Sequence, residues 1–347
     1  MDIKDRILAF TQLGTKILTD EQKPETIEFW EAVNMAHQQN PWFTPAFCEY
    51  AIKSIATHWL TEQSLNQWVA LYPKRAFNPK FEKRVGIVMA GNIPFVGFHD
   101  ILCVLMAGHK LVGKISSKDA GLTQILLKLL LSIEPRFKDY ITITEERLEN
   151  FDAVIATGSN NTSRYFDYYF AKYPNIIRKN RQSIAIITGN ETAEQFKGLA
   201  SDIFSYFGLG CRNVSKLLIP KDYDLTPLID NFLEFKSLVN HHKYANNYEY
   251  YRAIFLMNQI EHLDSGFALL KPDENLGSPV GVIYYQHYSD LNVVNEYIDR
   301  HNEQLQCIVS SNLSIPNSIG FGQTQNPLLT DYADGIDTIN FLASLNI

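Results

Sequence analysis

At 347 residues, with 46% hydrophobic and 20% charged composition, the chain is long enough for one large or two ordinary globular domains with a sizeable core. Its net charge of −7 gives no general attraction to nucleic acid or anionic membrane, and no apolar run reaches spanning length, so neither nucleic-acid binding nor membrane insertion is expected. Cys48, Cys103, Cys211 and Cys307 are widely spaced without a C-x-x-C pair, which argues against a metal site or a disulfide framework, and the N-terminus lacks the order of a secretory signal, so a cytoplasmic location is expected.

Residues 1 to about 80 read as aromatic-rich helices punctuated by Pro24, Pro41, Pro45, Pro73 and Pro79. Their tryptophans are read as packing residues. From Arg84 the pattern changes. Val85–Ala90 is a continuous apolar run fit for a buried parallel strand, and Gly91-Asn92-Ile93-Pro94 turns the chain into a helix carrying Phe98, Ile101, Leu102 and Leu105. Lys110–Ile115 is a second strand, leading through Ser116-Ser117-Lys118-Asp119 into the helix of Leu122, Ile125, Leu126 and Leu129. Strands at 152–157 and 183–187 continue the alternation and predict an open, mostly parallel sheet covered by helices. Ligands bind such sheets at the carboxyl ends of the strands. Those ends carry Gly91-Asn92, Lys114 with Ser116-Ser117, and Thr157-Gly158-Ser159, which suit a nucleotide phosphate, although the G-x-G-x-x-G fingerprint is absent.

A Thr192/Gln195 capping box opens an amphipathic helix that Gly208 and Gly210 break. Cys211 follows on a tight connection to a short apolar strand ended by Pro220. Taken alone, it reads either as an inert core residue or as an exposed nucleophile. The preceding helix would turn its negative end towards that sulfur. Arg178-Lys179-Asn180-Arg181 is a local basic run, read as a solvated loop or an anion contact. Beyond Pro220 a helix over Leu228–Leu238, a Tyr-rich stretch, a strand at 280–285, a helix at 292–298 and a strand at 306–310 predict a second, smaller α/β domain. His241 and His242, the nearest histidines downstream of Cys211, read as a structural pair, with a catalytic base as the lesser alternative. The domains are expected at 1–207 (helices and dinucleotide-binding domain) and 208–322 (catalytic domain), with 323–347 a tail returning towards the cleft.

The order of Asn-before-Pro turn, Lys-Ser loop, Gly-Ser loop, helix and Cys loop resembles the aldehyde dehydrogenase superfamily. The Cys loop is similar to F-x-x-x-G-Q-x-C-x-x-x-S-R, here Phe204, Gly208, Leu209, Cys211, Ser215 and Lys216, with Leu209 for Gln and Lys216 for Arg. More closely, Phe207-Gly-Leu-Gly-Cys-Arg-Asn-Val-Ser-Lys, His242-Lys-Tyr-Ala-Asn-Asn-Tyr, Phe321-Gly-Gln-Thr-Gln-Asn-Pro and Asp331-Tyr-Ala-Asp-Gly resemble the long-chain fatty acyl-CoA reductases of bacterial bioluminescence. The resemblance implies an aldehyde dehydrogenase-like α/β fold, Cys211 as nucleophile and Asn92 as an oxyanion donor. It also implies a cofactor site holding Lys114, Gly158, Ser159 and, as ribose ligand, Glu274.

Two departures from the superfamily suggest the chemistry. The stretch aligned with E-L-G-G-K, residues 178–183, lacks the carboxylate that activates water, and exchange with a thiol needs no such base. Ser117, followed by Lys118, replaces the K-P-x-E glutamate that repels a 2′-phosphate, which favours NADPH. The expected activity is therefore NADPH-dependent reduction of a long-chain fatty acyl-CoA to the aldehyde through a Cys211 thioester, in company with an acyl-donating synthetase or transferase and with homo-oligomerisation open. The alternatives are an NADP-dependent aldehyde dehydrogenase of another subclass and an acyl-binding protein without turnover.

Overall fold

The apolar runs that begin at residue 84 build two sheets in the computed structural model, which describes residues 1–19, 23–158, 160–312 and 314–345. The chain divides into two compact units, Met1–Asn180 with Pro327–Ile347, and Arg181–Asn326.

In the first unit, helices α1 (Ile3–Thr19), α2 (Pro24–Met35), α3 (Pro45–His58) and α4 (Glu62–Ala70) fulfil the helical reading of the N-terminal stretch. The sheet comprises β1 (Arg84–Val88), β2 (Lys110–Lys114), β3 (Ile141–Thr144), β4 (Ala153–Thr157) and β5 (Asn175–Arg178), in the order β3-β2-β1-β4-β5 and parallel throughout. Helices α5 (Phe98–Met106), α6 (Leu122–Ile133) and α7 (Asn160–Phe170) connect these strands. Phe10 of α1 packs on Phe98 of α5 and on Phe137, with ring centroids 6.4 and 5.6 Å apart. Arg6 is buried and donates to the Met106 carbonyl at 2.6 Å. A cation there complements the C-terminal end of α5, and burial lowers its pKa to about 10.

The second unit holds β6 (Gln182–Ile186), α8 (Ala193–Phe204), β7 (Val214–Pro220), α9 (Thr226–Phe232), α10 (His242–Met257), β8 (Leu263–Asp264), β9 (Leu269–Pro272), β10 (Val282–Tyr288), α11 (Leu291–His301), β11 (Leu305–Ser310) and β12 (Ser318–Ile319). Its strands run β12-β11-β6-β7-β10-β9-β8, with only β8 antiparallel. This unit is the shorter in chain length yet carries the larger sheet.

The strand read at 183–187 joins this second sheet rather than continuing the first, because β6 pairs with β7 and β11. The division therefore falls at 180/181, earlier than the boundary between 207 and 208 read from the sequence, and α8 travels with the strands it covers. An apolar run announces a buried strand but does not say which neighbour it pairs with.

The C-terminal segment returns to the first unit, ending in α12 (Thr338–Ser344). Trp59 donates to the Pro327 carbonyl at 2.7 Å, Trp68 to the Tyr332 hydroxyl at 2.7 Å, and Arg178, paired with Asp100, to the Thr338 hydroxyl at 3.1 Å. Asp331-Tyr-Ala-Asp-Gly is thus tied to the N-terminal helices. Arg178 is buried, so the basic run gives up its first member to the core.

Candidate active site

In the first unit, the sheet order places consecutive strands on opposite sides of β1: the chain runs from β1 to β2 and β3 one way, then returns to β4 and β5 on the other. The carboxyl ends of β1 and β4 therefore flank a topological switch point, where α/β sheets open a ligand crevice. Asn92, exposed, follows β1; Gly158 follows β4, and α7 begins beyond it. Ser159 lies outside the described residues. Lys114 ends β2 and stands in register with Val88 of β1 and Thr144 of β3. Ser117 and Lys118 are exposed on the loop that follows.

These loops are fixed by close backbone approach and by buried polar groups. A Cβ on Gly91 would come within 2.7 Å of Ser116 Oγ, so only glycine lets the β1 and β2 loops meet. Phe95, buried at φ +56°, turns the chain after Asn92. Asn40, from the helical layer, donates to the Lys118 carbonyl at 2.9 Å. Asp119 accepts from the Thr123 amide at 2.8 Å and the Thr123 hydroxyl at 2.9 Å. Burial pushes its carboxyl up to about 6, with the Thr123 bonds acting in the opposite direction.

In the second unit, Cys211 is exposed, whereas Cys48, Cys103 and Cys307 are buried. Burial pushes the Cys48 thiol up to about 12 and Cys103 well above its ordinary value, so both stay protonated and inert. The capping box at Thr192 and Gln195 starts α8, which ends at Phe204. The chain then takes three consecutive residues in the left-handed region: Tyr206 (φ +52°), Phe207 (φ +59°) and Gly208 (φ +74°). Two of these are bulky aromatics, for which this backbone is strained. Tyr206 and Phe207 are buried, and the Phe207 ring centroid lies 4.4 Å from that of His241, so packing holds the turn.

Buried side chains clamp both sides of the cysteine. Asn213 accepts from the Gly210 amide at 2.8 Å and donates to the carbonyls of Asp202 at 3.0 Å and Ser205 at 2.9 Å. Ser183 donates to the Cys211 carbonyl at 2.9 Å and accepts from the Cys307 amide at 3.1 Å. Asp202 also receives the Gly322 amide at 2.7 Å and both the amide and hydroxyl of Thr324 at 3.0 and 2.8 Å. This links Phe321-Gly-Gln-Thr-Gln-Asn to α8. Sequence reasoning missed Ser183, Asn213 and Asp202; only the asparagine of Cys-Arg-Asn gave a signal, since a side-chain amide that bonds nearby backbone is typical of tight turns. Glu274 is exposed beyond β9, and its carbonyl accepts from the buried Lys216 ammonium at 2.8 Å.

Asn92, Lys114, Ser117, Lys118 and Gly158 are thus gathered at one edge of the first sheet, while Cys211 and Glu274 belong to the second unit. Among the described residues, no group of three or more His, Cys, Asp or Glu side chains could hold a metal ion, and no helix is long and apolar enough to cross a membrane.

Residues 61–232 match the family described as acyl-CoA reductase (LuxC). No curated protein sequence matches the chain significantly. Among solved structures, aldehyde dehydrogenase 21 from Physcomitrella patens, in complex with succinate, is 12% identical with a TM-score of 0.69, over 100% of this chain and 85% of that one. An NAD-dependent aldehyde dehydrogenase from Sinorhizobium meliloti is 13% identical with a TM-score of 0.63, over 90% and 71% of the two chains. The propionaldehyde dehydrogenase of a Clostridium phytofermentans bacterial microcompartment, as a His387Ala mutant there, is 7% identical with a TM-score of 0.60, over 90% and 80%. At these identities the likeness is one of fold.

Proposed function

Because the chain belongs to the LuxC-type acyl-CoA reductase family and has the aldehyde dehydrogenase fold, we propose that it reduces a long-chain fatty acyl-CoA to the aldehyde with NADPH, through a thioester on Cys211. The observation that carries this reading is the exposure of Cys211 on a strained, clamped turn while the other three cysteines are buried. The Cys211 thiolate attacks the acyl carbonyl, the oxyanion is met by the Asn92 amide and the Cys211 backbone N–H, and coenzyme A leaves as its thiolate. NADPH, when bound, supplies the hydride that turns the acyl-enzyme into a thiohemiacetal. Cys211 then departs as the leaving group and the aldehyde is released.

The first unit takes the cofactor on this reading. The loops after β1 and β4 meet the phosphates, Lys114 meets the adenosine ribose, and Ser117 with Lys118 admits a 2′-phosphate. Glu274 is assigned to a ribose of the cofactor. Exchange with a thiol rather than hydrolysis by water is supported by the stretch 178–183, which contains no carboxylate. An acyl-donating synthetase or transferase would supply the substrate in the cytoplasm.

Purified protein mixed with NADPH and acyl-CoAs of graded chain length should oxidise the nucleotide and yield aldehyde in equal amounts. Activity that needs water or phosphate but not coenzyme A would instead indicate an aldehyde dehydrogenase of another subclass. Cys211 acylation without NADPH oxidation would indicate a binding protein.

A further inference from the structure

Lys216 is fully buried on β7, at 0% exposure. Its ammonium has three N–H bonds, and three oxygens meet them: the carbonyls of Asp273 at 3.0 Å and Glu274 at 2.8 Å, and Gln286 Oε1 at 2.9 Å. Nζ also lies 5.0 Å from the centre of the Tyr297 ring. No carboxylate oxygen is among these partners; Asp273 bonds Lys271 instead. A buried charge is costly to fold, and an apolar side chain of similar volume would often stabilise the sheet more. The ammonium therefore points to a local task.

That task can be read from the chain after β9. Following Glu274 the loop doubles back over the sheet. Ser215 Oγ donates to the Leu276 carbonyl at 2.9 Å, and Gly277 lies so close to Gln182 that a Cβ would come within 2.9 Å of its Nε2. Lys216 and Ser215, consecutive on the strand that leaves the Cys211 loop, thus hold consecutive parts of the segment carrying Glu274.

We propose that Lys216 is a positioning residue for nucleotide binding, fixing the main chain at Asp273 and Glu274 so that the Glu274 carboxylate is presented to the cofactor. The inference rests on the reading of Glu274 as a ribose ligand. Burial lowers the Lys216 pKa to about 8, against the pull of Asp273 and Glu274. The other ionisable groups packed here are Lys271, which faces Asp273, and Tyr297, which burial pushes up to about 12.

The test is NADPH binding by fluorescence titration on the full chain. Lys216→Met should weaken binding roughly 10-fold, the scale of one charge-assisted hydrogen bond, while iodoacetamide alkylates Cys211 within about twofold of the wild-type rate. Wild-type affinity should fall severalfold between pH 7 and about 9.5, as the ammonium loses its proton. Lys216→Arg, whose charge persists, should bind within about threefold of wild type at pH 7 and show a flat profile. Lys216→Met binding like wild type, or Lys216→Arg declining with pH as the wild type does, would overturn the inference. If neither variant folds, a flat wild-type profile overturns it. Glu274→Gln separates the two readings. Weak binding by Glu274→Gln beside normal binding by Lys216→Met removes only the Lys216 role, whereas normal binding by Glu274→Gln overturns the Glu274 reading and, with it, the proposed route through its carboxylate.

Discussion

Among the four cysteines only Cys211 is exposed, so covalent chemistry on sulfur should depend on it alone. Cys211→Ala should abolish both acyl labelling and NADPH oxidation. Asn92→Ala should remain alive but slower by about 100-fold, the usual cost of one oxyanion donor, near 3 kcal/mol, with the loss in kcat rather than in KM. Lys118→Glu restores a carboxylate beside the position where a 2′-phosphate would sit. It should raise the KM for NADPH about 10-fold and leave that for NADH nearly unchanged, as steady-state kinetics with both nucleotides will show. At this scale the sequence was informative where a residue's role depends on its own chemistry and its place in a motif. Cys211, Asn92 and Lys114 were singled out that way, and their roles are proposals, those of Cys211 and Asn92 tested by the variants above. Ser183 and Lys216 act through hydrogen bonds to backbone distant in sequence, and no local pattern announces such a partner.

At the scale of elements, the Cys211 loop is built from a helix end, a left-handed turn and a strand start, locked by Asn213. Removing that carboxamide leaves the Asp202 and Ser205 carbonyls and the Gly210 amide short of partners in a buried setting. Asn213→Ala should therefore lower stability by about 1–3 kcal/mol in urea titration and slow acylation of Cys211 as the loop loosens. Gly198 of α8 marks a second close approach: a Cβ there would lie 2.9 Å from the Phe321 carbonyl carbon and 3.0 Å from the Gly322 amide. Gly198→Ala should push that segment off the helix and destabilise by roughly 1–3 kcal/mol. The strands β1, β2 and β4 were legible because each is a continuous apolar run between turn signals. β3 and β5 were not, since Ile-Thr-Ile-Thr and Asn-Ile-Ile-Arg are short and partly polar edge strands. The left-handed Tyr206 and Phe207 were equally hidden, because their conformation is imposed by packing against the rest of the fold.

At the scale of the whole molecule, buried carboxyls give the stability a pH signature. Asp119 in the first unit and Asp202 in the second are both pushed up to about 6, chiefly by burial and despite the hydrogen bonds they accept. A carboxyl whose folded pKa exceeds its unfolded value binds a proton more readily when folded, so its contribution to stability improves as pH falls from about 6 towards about 4. Carboxyls such as Asp264 act oppositely: burial opposes its charge, yet bonds from Tyr248, Gly266 and Arg252 hold it below its ordinary value, and that support is lost in acid. The difference between wild type and Asp202→Asn should isolate the first effect, moving in favour of the wild type by roughly 1–3 kcal/mol between pH 7 and pH 4 in parallel urea titrations. The two-unit plan was legible as alternating strands and helices, but the membership of β6 was not, because pairing partners are chosen in three dimensions.

The most direct test of the account is intact-protein mass spectrometry coupled to a single turnover. Protein incubated with a long-chain acyl-CoA and no nucleotide should gain one acyl group on Cys211 and release coenzyme A. Adding NADPH should then remove that group as an equimolar amount of aldehyde. An unmodified Cys211 with every chain length tried, or aldehyde formation by the Cys211→Ala variant, would contradict the covalent mechanism.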